Sequence, residues 1–305
     1  MENRVLGYFV AVADEGSVTG AAAVCHVTQP AISRQLAALE AELGVKLFER
    51  SSKGLRLSAA GRRLLPIARD ILGRVEQGRA VMRSLSTEGT LELTAVCPTT
   101  TMIYILAPFV AACGAPITNI ADALPDEIYG HLADHRADLA VNSRQPPPGL
   151  AARTIIDLPM LVQFPPGHER FADRREVELA ELVDERLVVA GRGSAIRQAL
   201  DEAAHDAGLS PTAVRTTDSS TVSQSLAAAG HGCAVVIESP RFGLRTANLC
   251  SGGRPLSVTL HAAWDASHFA AAEIDAMVGE LADWARSNRS DPAMRIADDT
   301  LTNLS

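Results

Sequence analysis

The stretch that most narrows what this chain can fold into is Thr28 to Leu43, TQPAISRQLAALEAEL. Ile32, Leu36, Leu39 and Leu43 step by four, three and four, so they share one face of a helix. The opposite face carries Gln29, Ser33 and Arg34, with small Ala37 a turn further on. Those side chains donate to or accept from base edges, and a small neighbour allows close approach. Upstream, Ser17 to Val24 reads as a shorter helix, joined through Cys25, His26 and Val27. Two short helices, the second with a polar outer face, make a helix-turn-helix. Thr28 is the expected N-cap of the second helix, and Pro30 suits a first turn, where amides lack intrahelical acceptors.

The flanking residues complete a small unit. Val5 to Val12 is a first helix, with Leu6, Phe9, Val10 and Ala13 on its packing face. Gly44 ends the polar-faced helix. Leu47-Phe48 and Leu55/Leu57 bracket a turn of Ser51, Ser52, Lys53 and Gly54, which reads as a hairpin with Arg50, Lys53 and Arg56 near its tip. A basic hairpin tip beside such a helix suits phosphate or minor-groove contact.

Charge supports this division of labour. The chain of 305 residues carries a net charge of -8, which is wrong for a uniform nucleic-acid binder. Residues 1–90, however, hold 12 Lys+Arg against 9 Asp+Glu, and the remainder holds 16 against 27. A weakly basic front on an acidic body implies that only the front meets phosphate. Five scattered cysteines do not form a disulfide framework. No charged-then-apolar leader opens the sequence and no apolar run spans a bilayer, so a soluble cytoplasmic protein with no membrane partner is expected.

The run GSVTGAAAVCHVTQPAISRQLAALEAELGVKLFER, followed by LSAAGRRLLPIARDIL, resembles the N-terminal domain of LysR-type transcriptional regulators. The match covers about the first 85 residues. The resemblance implies an α/β multi-domain chain: a winged helix-turn-helix over 1–58, a linker helix and hinge over 59–89, and a two-lobed periplasmic-binding-protein-like effector domain over 90–305. It matches Gln29, Pro30, Ser33 and Arg34 to recognition-helix contacts and Arg50 to a wing contact. It further implies a homodimer or tetramer on double-stranded DNA, a small-molecule effector and RNA polymerase as partners.

Between Ser58 and Leu85, the residues Leu64, Ala68, Ile71, Val75, Gly78, Met82 and Leu85 repeat by fours and threes. Such a seam calls for a partner helix, here a second copy of the chain. Pro66 is expected to bend it, and Gly73 and Gly78 to weaken it by about 1 kcal/mol each. After the polar hinge Thr87 to Gly89, strands alternate with helices, which reads as open parallel sheets. Lobe I is expected at about 90–160 and 266–287, and lobe II at about 161–265. LADHRADLAV and LAAAGHGCAVV carry the fainter family likeness in this half.

Open α/β sheets bind ligands beyond the carboxyl ends of their strands. Thr99, Thr100 and Thr101 follow a strand and open a helix, an arrangement that suits a carboxylate. Asn142 and Ser143 end another strand, and Gly191-Arg192-Gly193-Ser194 is the matching turn in the second lobe. In the family the effector contacts come from these regions, which assigns Thr99, Thr100, Thr101, Asn142 and Ser194 to the effector, with Arg144 or Arg192 facing its negative group. His131 and His135 lie four apart, but no third metal ligand accompanies them, so neither a metal nor a cofactor is expected. The rival readings are a redox-sensing regulator using Cys97 or Cys250, a solute-binding protein, and an enzyme. No Ser-His-Asp, GxSxG or HExxH pattern supports the last.

Overall fold

The computed structural model describes residues 2–51, 54–84, 91–191, 193–210, 213–217 and 219–288. It divides into two compact units, residues 1–92 with 130–138, and 93–129 with 139–305. The hinge Thr87–Gly89, Leu85, Lys53 and Arg192 lie outside the described residues.

In the first unit, α1 (Asn3–Glu15), α2 (Val18–Val24) and α3 (Gln29–Leu43) are followed by the antiparallel hairpin β1 (Phe48–Ser51) and β2 (Gly54–Leu57), then α4 (Ala59–Ser84). Glycines in the left-handed region, Gly16 at φ 61° and Gly44 at φ 69°, end α1 and α3. Ser17 caps α2 by accepting from the Gly20 amide at 2.9 Å. Thr28 occupies the N-cap of α3, but its side chain makes no capping bond. The core is Val5, Leu6, Phe9, Val12, Ala21, Ala22, Ile32, Leu36, Leu39, Leu47 and Ala68. Val10 and Ala13, expected on the packing face of α1, sit at its margin, and Leu43 is 39% exposed because α3 has by then passed the core.

The linker helix departs from the expected seam. It runs unbroken through Pro66, and Leu64, Ala68 and Ile71 pack into the headpiece of their own chain rather than waiting for a partner. Beyond them Met82 stays 63% exposed, as does Ile67 at 55% on a neighbouring face. Gly73 serves close approach: a Cβ there would lie 2.0 Å from that of His135. Around it Arg69 pairs with Asp14 and, at 2.8 Å, with Asp134, while Asp70 meets His135 Nε2 at 2.9 Å.

The second unit holds two mixed sheets, not the all-parallel sheets expected. The first comprises β3 (Leu93–Cys97), then, after α5 (Thr99–Thr101), a π-helical segment Met102–Leu106 and α6 (Ala107–Cys113), β4 (Ile117–Asp122), then α7 (Ile128–Ala133), β5 (Leu139–Asn142), β6 (Leu150–Pro159) and a late return strand. The second comprises β7 (Leu161–Phe164), β8 (Glu176–Glu178), a 3-10 turn Leu179–Leu182, β9 (Arg186–Ala190), α8 (Ala195–Asp206), β10 (Ala213–Thr217), α9 (Ser220–Ala228), β11 (Cys233–Val236), β12 (Arg245–Ser251) and β13 (Arg254–Pro255). The return strand is β14 (Ser257–Asp265), and α10 (Ala271–Ser287) follows it.

Strand order is β4-β3-β5-β14-β6 in one sheet and β10-β9-β11-β7-β12-β13 in the other, with β8 beside β12. Antiparallel β14 pairs with both β5 and β6, so residues 257–265 belong to the first lobe; the second lobe ends near 256, not 265. The two crossings run side by side, with the Met160 amide donating to the Leu256 carbonyl at 2.8 Å. Each lobe has its own apolar centre. In the second it gathers Val162, Phe164, Leu187, Val189, Leu200 and Val235. In the first, α10 buries Ile274, Met277, Val278, Leu281 and Ala285 at helical spacing, and Trp284 meets Phe109 at 5.8 Å between ring centroids.

Candidate functional site

The outer face of α3 is a polar surface on a rigid base. Ile32, Leu36 and Leu39 are buried, and Gln29, Pro30 and Arg34 on the other side are exposed. Gln29 Nε2 donates to Ser33 Oγ at 3.0 Å, which aligns the two side chains along one turn. Among the described residues no carboxylate pairs with Arg34, so its guanidinium fork is available for bidentate recognition.

Glu40 fixes this helix against the hairpin. Its carboxylate accepts from the Leu47 amide at 2.8 Å and the Phe48 amide at 3.4 Å, and meets Lys46 Nζ at 2.7 Å. Burial alone would raise its pKa, but Lys46 and the two amides outweigh that and hold it below the usual carboxylate range. The hairpin pairs Arg50 with Leu55 in register, and Arg56 of β2 is exposed. Ser58 then starts α4 by accepting from the Gly61 amide at 3.0 Å.

In the second unit, β3 and β5 are parallel neighbours with Val96 beside Ala140. Their carboxyl ends therefore place Pro98-Thr99 beside Asn142 at one sheet edge. Thr100 is exposed there. Thr99 is committed to Asp122, donating to its carboxylate at 2.8 Å, and Thr101 is turned inward at 8% exposure. Of the three threonines, Thr100 alone keeps an exposed hydroxyl that no described neighbour engages. Asn142 is fully buried; its Nδ2 donates to the Pro125 carbonyl at 2.9 Å, while its Oδ1 has no partner among the described residues. A buried acceptor in that state favours any incoming donor.

The lobes meet beside this edge. Arg144 pairs with Asp126 and donates to the Gly193 carbonyl at 3.4 Å, which brings Gly193, just before Ser194, opposite the first-lobe residues. Ser194 is used locally: its hydroxyl accepts from the Arg197 amide at 3.2 Å and caps α8. Tyr129 donates to the Arg144 carbonyl at 2.6 Å, and burial pushes its phenol up to about 12. A second bridge joins Arg241 to Tyr104 Oη at 3.5 Å. On the second-lobe side Gln224 donates to Gln163 Oε1 at 2.9 Å and to the Ser239 carbonyl at 2.8 Å, while Gln163 donates to the Glu238 carbonyl at 2.7 Å. Asp126, Tyr129, Tyr104, Arg241, Gln163 and Gln224 escape sequence reading because each meets its partner only through the fold; the lone hint is Gln163 inside the otherwise apolar LVQF.

The cysteines bear on redox chemistry. All five are free. Burial, with Asp122 adding to it, pushes the Cys97 thiol up to about 12, and burial with nearby carboxylates also raises Cys250. Thiols held protonated in this way are poor nucleophiles.

With this geometry in place, comparison with known proteins is direct. The family model for bacterial regulatory helix-turn-helix proteins of the lysR family matches residues 4–62, and that for the LysR substrate binding domain matches residues 84–286. The HTH-type transcriptional regulator Rv2282c of Mycobacterium tuberculosis is 30% identical over 208 residues, 65% of this chain and 67% of that one. Identity to the HTH-type transcriptional regulator ClcR of Pseudomonas putida is 49% over 86 residues, 28% of this chain and 29% of that one. The solved structure of full-length CbnR complexed with its target DNA superposes with a TM-score of 0.68 at 25% identity, covering 93% of this chain and all of that one.

Proposed function

The chain belongs to the LysR family of bacterial helix-turn-helix transcriptional regulators, and from that premise we propose that α3 reads an operator under the control of a small anionic effector held between the lobes of the second unit. The observation that carries the DNA half is the face formed by exposed Gln29 and Arg34 with half-buried Ser33, on a helix whose other side is buried. In this reading Gln29, Ser33 and Arg34 meet base edges, Pro30 abuts the groove wall, and Arg50 and Lys53 hold phosphates. CbnR, a structural relative, was solved on its target DNA, which supports the same docking here. Met82 and Ile67, exposed on α4, supply apolar surface for pairing with a second copy. A dimer presents two recognition helices to two half-sites, and a dimer of dimers presents four. RNA polymerase is the proposed downstream partner, in the cytoplasm. No described helix is long and apolar enough to cross a membrane.

For the effector, Thr100, the α5 amides and Asn142 Oδ1 form the first-lobe wall, with Thr99 and Thr101 behind them as scaffold and Ser194, capping α8, on the second-lobe side. A ligand bearing both a carboxylate and a hydrogen-bond donor fits that set, since the amides take the first and Asn142 the second. Because it touches both lobes, it shifts their relative population by its differential affinity, without turnover and with no cofactor required. A thermal-shift screen of small carboxylates, including aromatic and hydroxy acids, on the full-length protein tests this. A ligand at about 100 times its Kd adds about 2.7 kcal/mol, a shift of several degrees. The shift is expected to vanish in Thr100→Val. If every ligand acts equally on wild type and Thr100→Val, the assignment of this edge is wrong.

A further inference from the structure

We infer that the second lobe carries a divalent-metal site of the zinc type, formed by His168, Glu185 and Cys233. His168 Nε2 lies 3.5 Å from Cys233 Sγ and 3.8 Å from Glu185 Oε2, and the three donor atoms all fall within 4.8 Å of one another. Ligands of a tetrahedral zinc ion stand about 3.3–3.6 Å apart, given metal–ligand bonds of about 2.0–2.3 Å. The His168–Cys233 distance of 3.5 Å already matches, the His168–Glu185 distance of 3.8 Å is slightly long, and the Cys233–Glu185 pair, within 4.8 Å, needs to close by about 1.5 Å at most. The donor set of one thiolate, one imidazole and one carboxylate is that of a three-ligand site with an open fourth position.

The arrangement is hard to read as anything else. In a nucleophile relay a histidine holds the thiol on one ring nitrogen and the carboxylate on the other. Here both converge on Nε2, which is the geometry of three groups facing one point. The ring is held in that pose: it stacks on Phe171 at 4.6 Å and 8° and tilts against Phe164 at 5.6 Å. Glu185 is steadied as well, since Arg170 Nη1 takes its other oxygen at 2.8 Å and leaves Oε2 turned to the histidine. Outer partners of this sort orient a ligand before the metal arrives.

Two features oppose the metal. Coordination at Nε2 places the ring proton on Nδ1 and gives up the 3.4 Å contact from the Arg170 amide, which is long and weak. The Cys233 thiol, pushed up to about 12 by burial and by Glu185, must lose its proton to the solvent when the sulfur–metal bond forms. Neither is prohibitive for a cation that binds thiolate.

The site is separate from the interlobe cleft. Cys233 opens β11, which runs parallel to β9 with Cys233 beside Leu187, and Glu185 immediately precedes β9. The metal thus sits at the amino ends of these strands, whereas Gly191 and Ser194 lie beyond the carboxyl end of β9. A bound ion ties the 165–173 loop to the sheet from below. Occupancy does not depend on DNA or effector.

Cobalt(II) titration of reduced, chelator-stripped full-length protein provides the test. The expected result is one equivalent per chain, with a thiolate-to-cobalt charge-transfer band and tetrahedral visible absorption, both displaced by zinc. Cys233→Ser removes the charge-transfer band. His168→Gln and Glu185→Gln each weaken cobalt binding at least tenfold while the metal-free protein keeps a cooperative melting transition. These two, at partly exposed positions, keep the test decisive if the buried cysteine variant does not fold. Absence of a charge-transfer band at saturating cobalt overturns the site. So does a band that survives Cys233→Ser, or wild-type affinity in both other variants.

Discussion

Phe9→Ala is expected to abolish DNA binding by unfolding the headpiece while leaving the second unit folded. Phe9 is fully buried, sits 5.5 Å from Phe48 between ring centroids, and joins α1 to the hairpin across the core that also holds Leu6, Ile32, Leu36 and Leu47. Truncating such a ring costs about 3–5 kcal/mol through lost transfer energy and the cavity left behind. A small domain has only about 5–15 kcal/mol in hand, so the headpiece of this variant is largely unfolded at growth temperature. The melting transition of the second unit and its response to ligand should persist, because that unit has separate apolar centres. Phe9→Leu keeps most of the volume and should retain binding. A headpiece that melts normally as Phe9→Ala would show that this core does not hold α3 in place.

Arg34→Ala should leave the fold intact and weaken operator binding by about 1–3 kcal/mol per half-site, the worth of a bidentate base contact. Two half-sites double that, to about 2–6 kcal/mol per dimer, or roughly thirtyfold to more than ten-thousandfold. Arg34 is exposed and no described carboxylate pairs with it, so its loss disturbs no internal bond. Arg34→Lys keeps the charge but not the planar fork and should recover little. Specificity should relax at the base pair that Arg34 reads. Lys53→Ala differs in kind: it should weaken all duplexes alike and reduce the salt slope by about one. Competition binding against matched and mismatched duplexes, over a salt series, separates the two. Equal losses on every duplex for Arg34→Ala would make it a phosphate contact.

Much of the headpiece was legible because its helices bury one face each and their spacing is printed in the sequence. Ile32, Leu36 and Leu39 are buried as that spacing requires, and the hairpin falls where Leu47-Phe48 and Leu55/Leu57 bracket polar residues. Along α4 the apolar seam is legible, but periodicity cannot tell the intramolecular partner that Leu64, Ala68 and Ile71 find in the headpiece from a second chain along the rest of the helix. Gly73 looked like a weakness and proved to be a point of close approach to His135. In the second unit, β12, RTANLCS, lacks clean alternation and was missed; its buried positions Ala247, Leu249 and Cys250 make sense only beside β7 and β8. The placement of β14 in the first sheet depends on pairing with β6, about 100 residues earlier, which no local pattern encodes. The effector edge was half legible. Strand ends pointed to Thr99–Thr101 and Asn142, but Thr99 is engaged by Asp122 and Ser194 by its own helix. His168, Glu185 and Cys233 are brought together by the fold across a wide sequence separation, beyond the reach of motif spacing.

Selection of bound duplexes from a random-sequence pool by the purified full-length protein tests the central claim most directly. The account predicts enrichment of two-fold symmetric half-sites separated by about one helical turn or a multiple of it, with enrichment lost when the selection is run on Arg34→Ala. Recovery of an unenriched pool by wild-type protein that is folded and dimeric, or the same symmetric sites from Arg34→Ala, would contradict it.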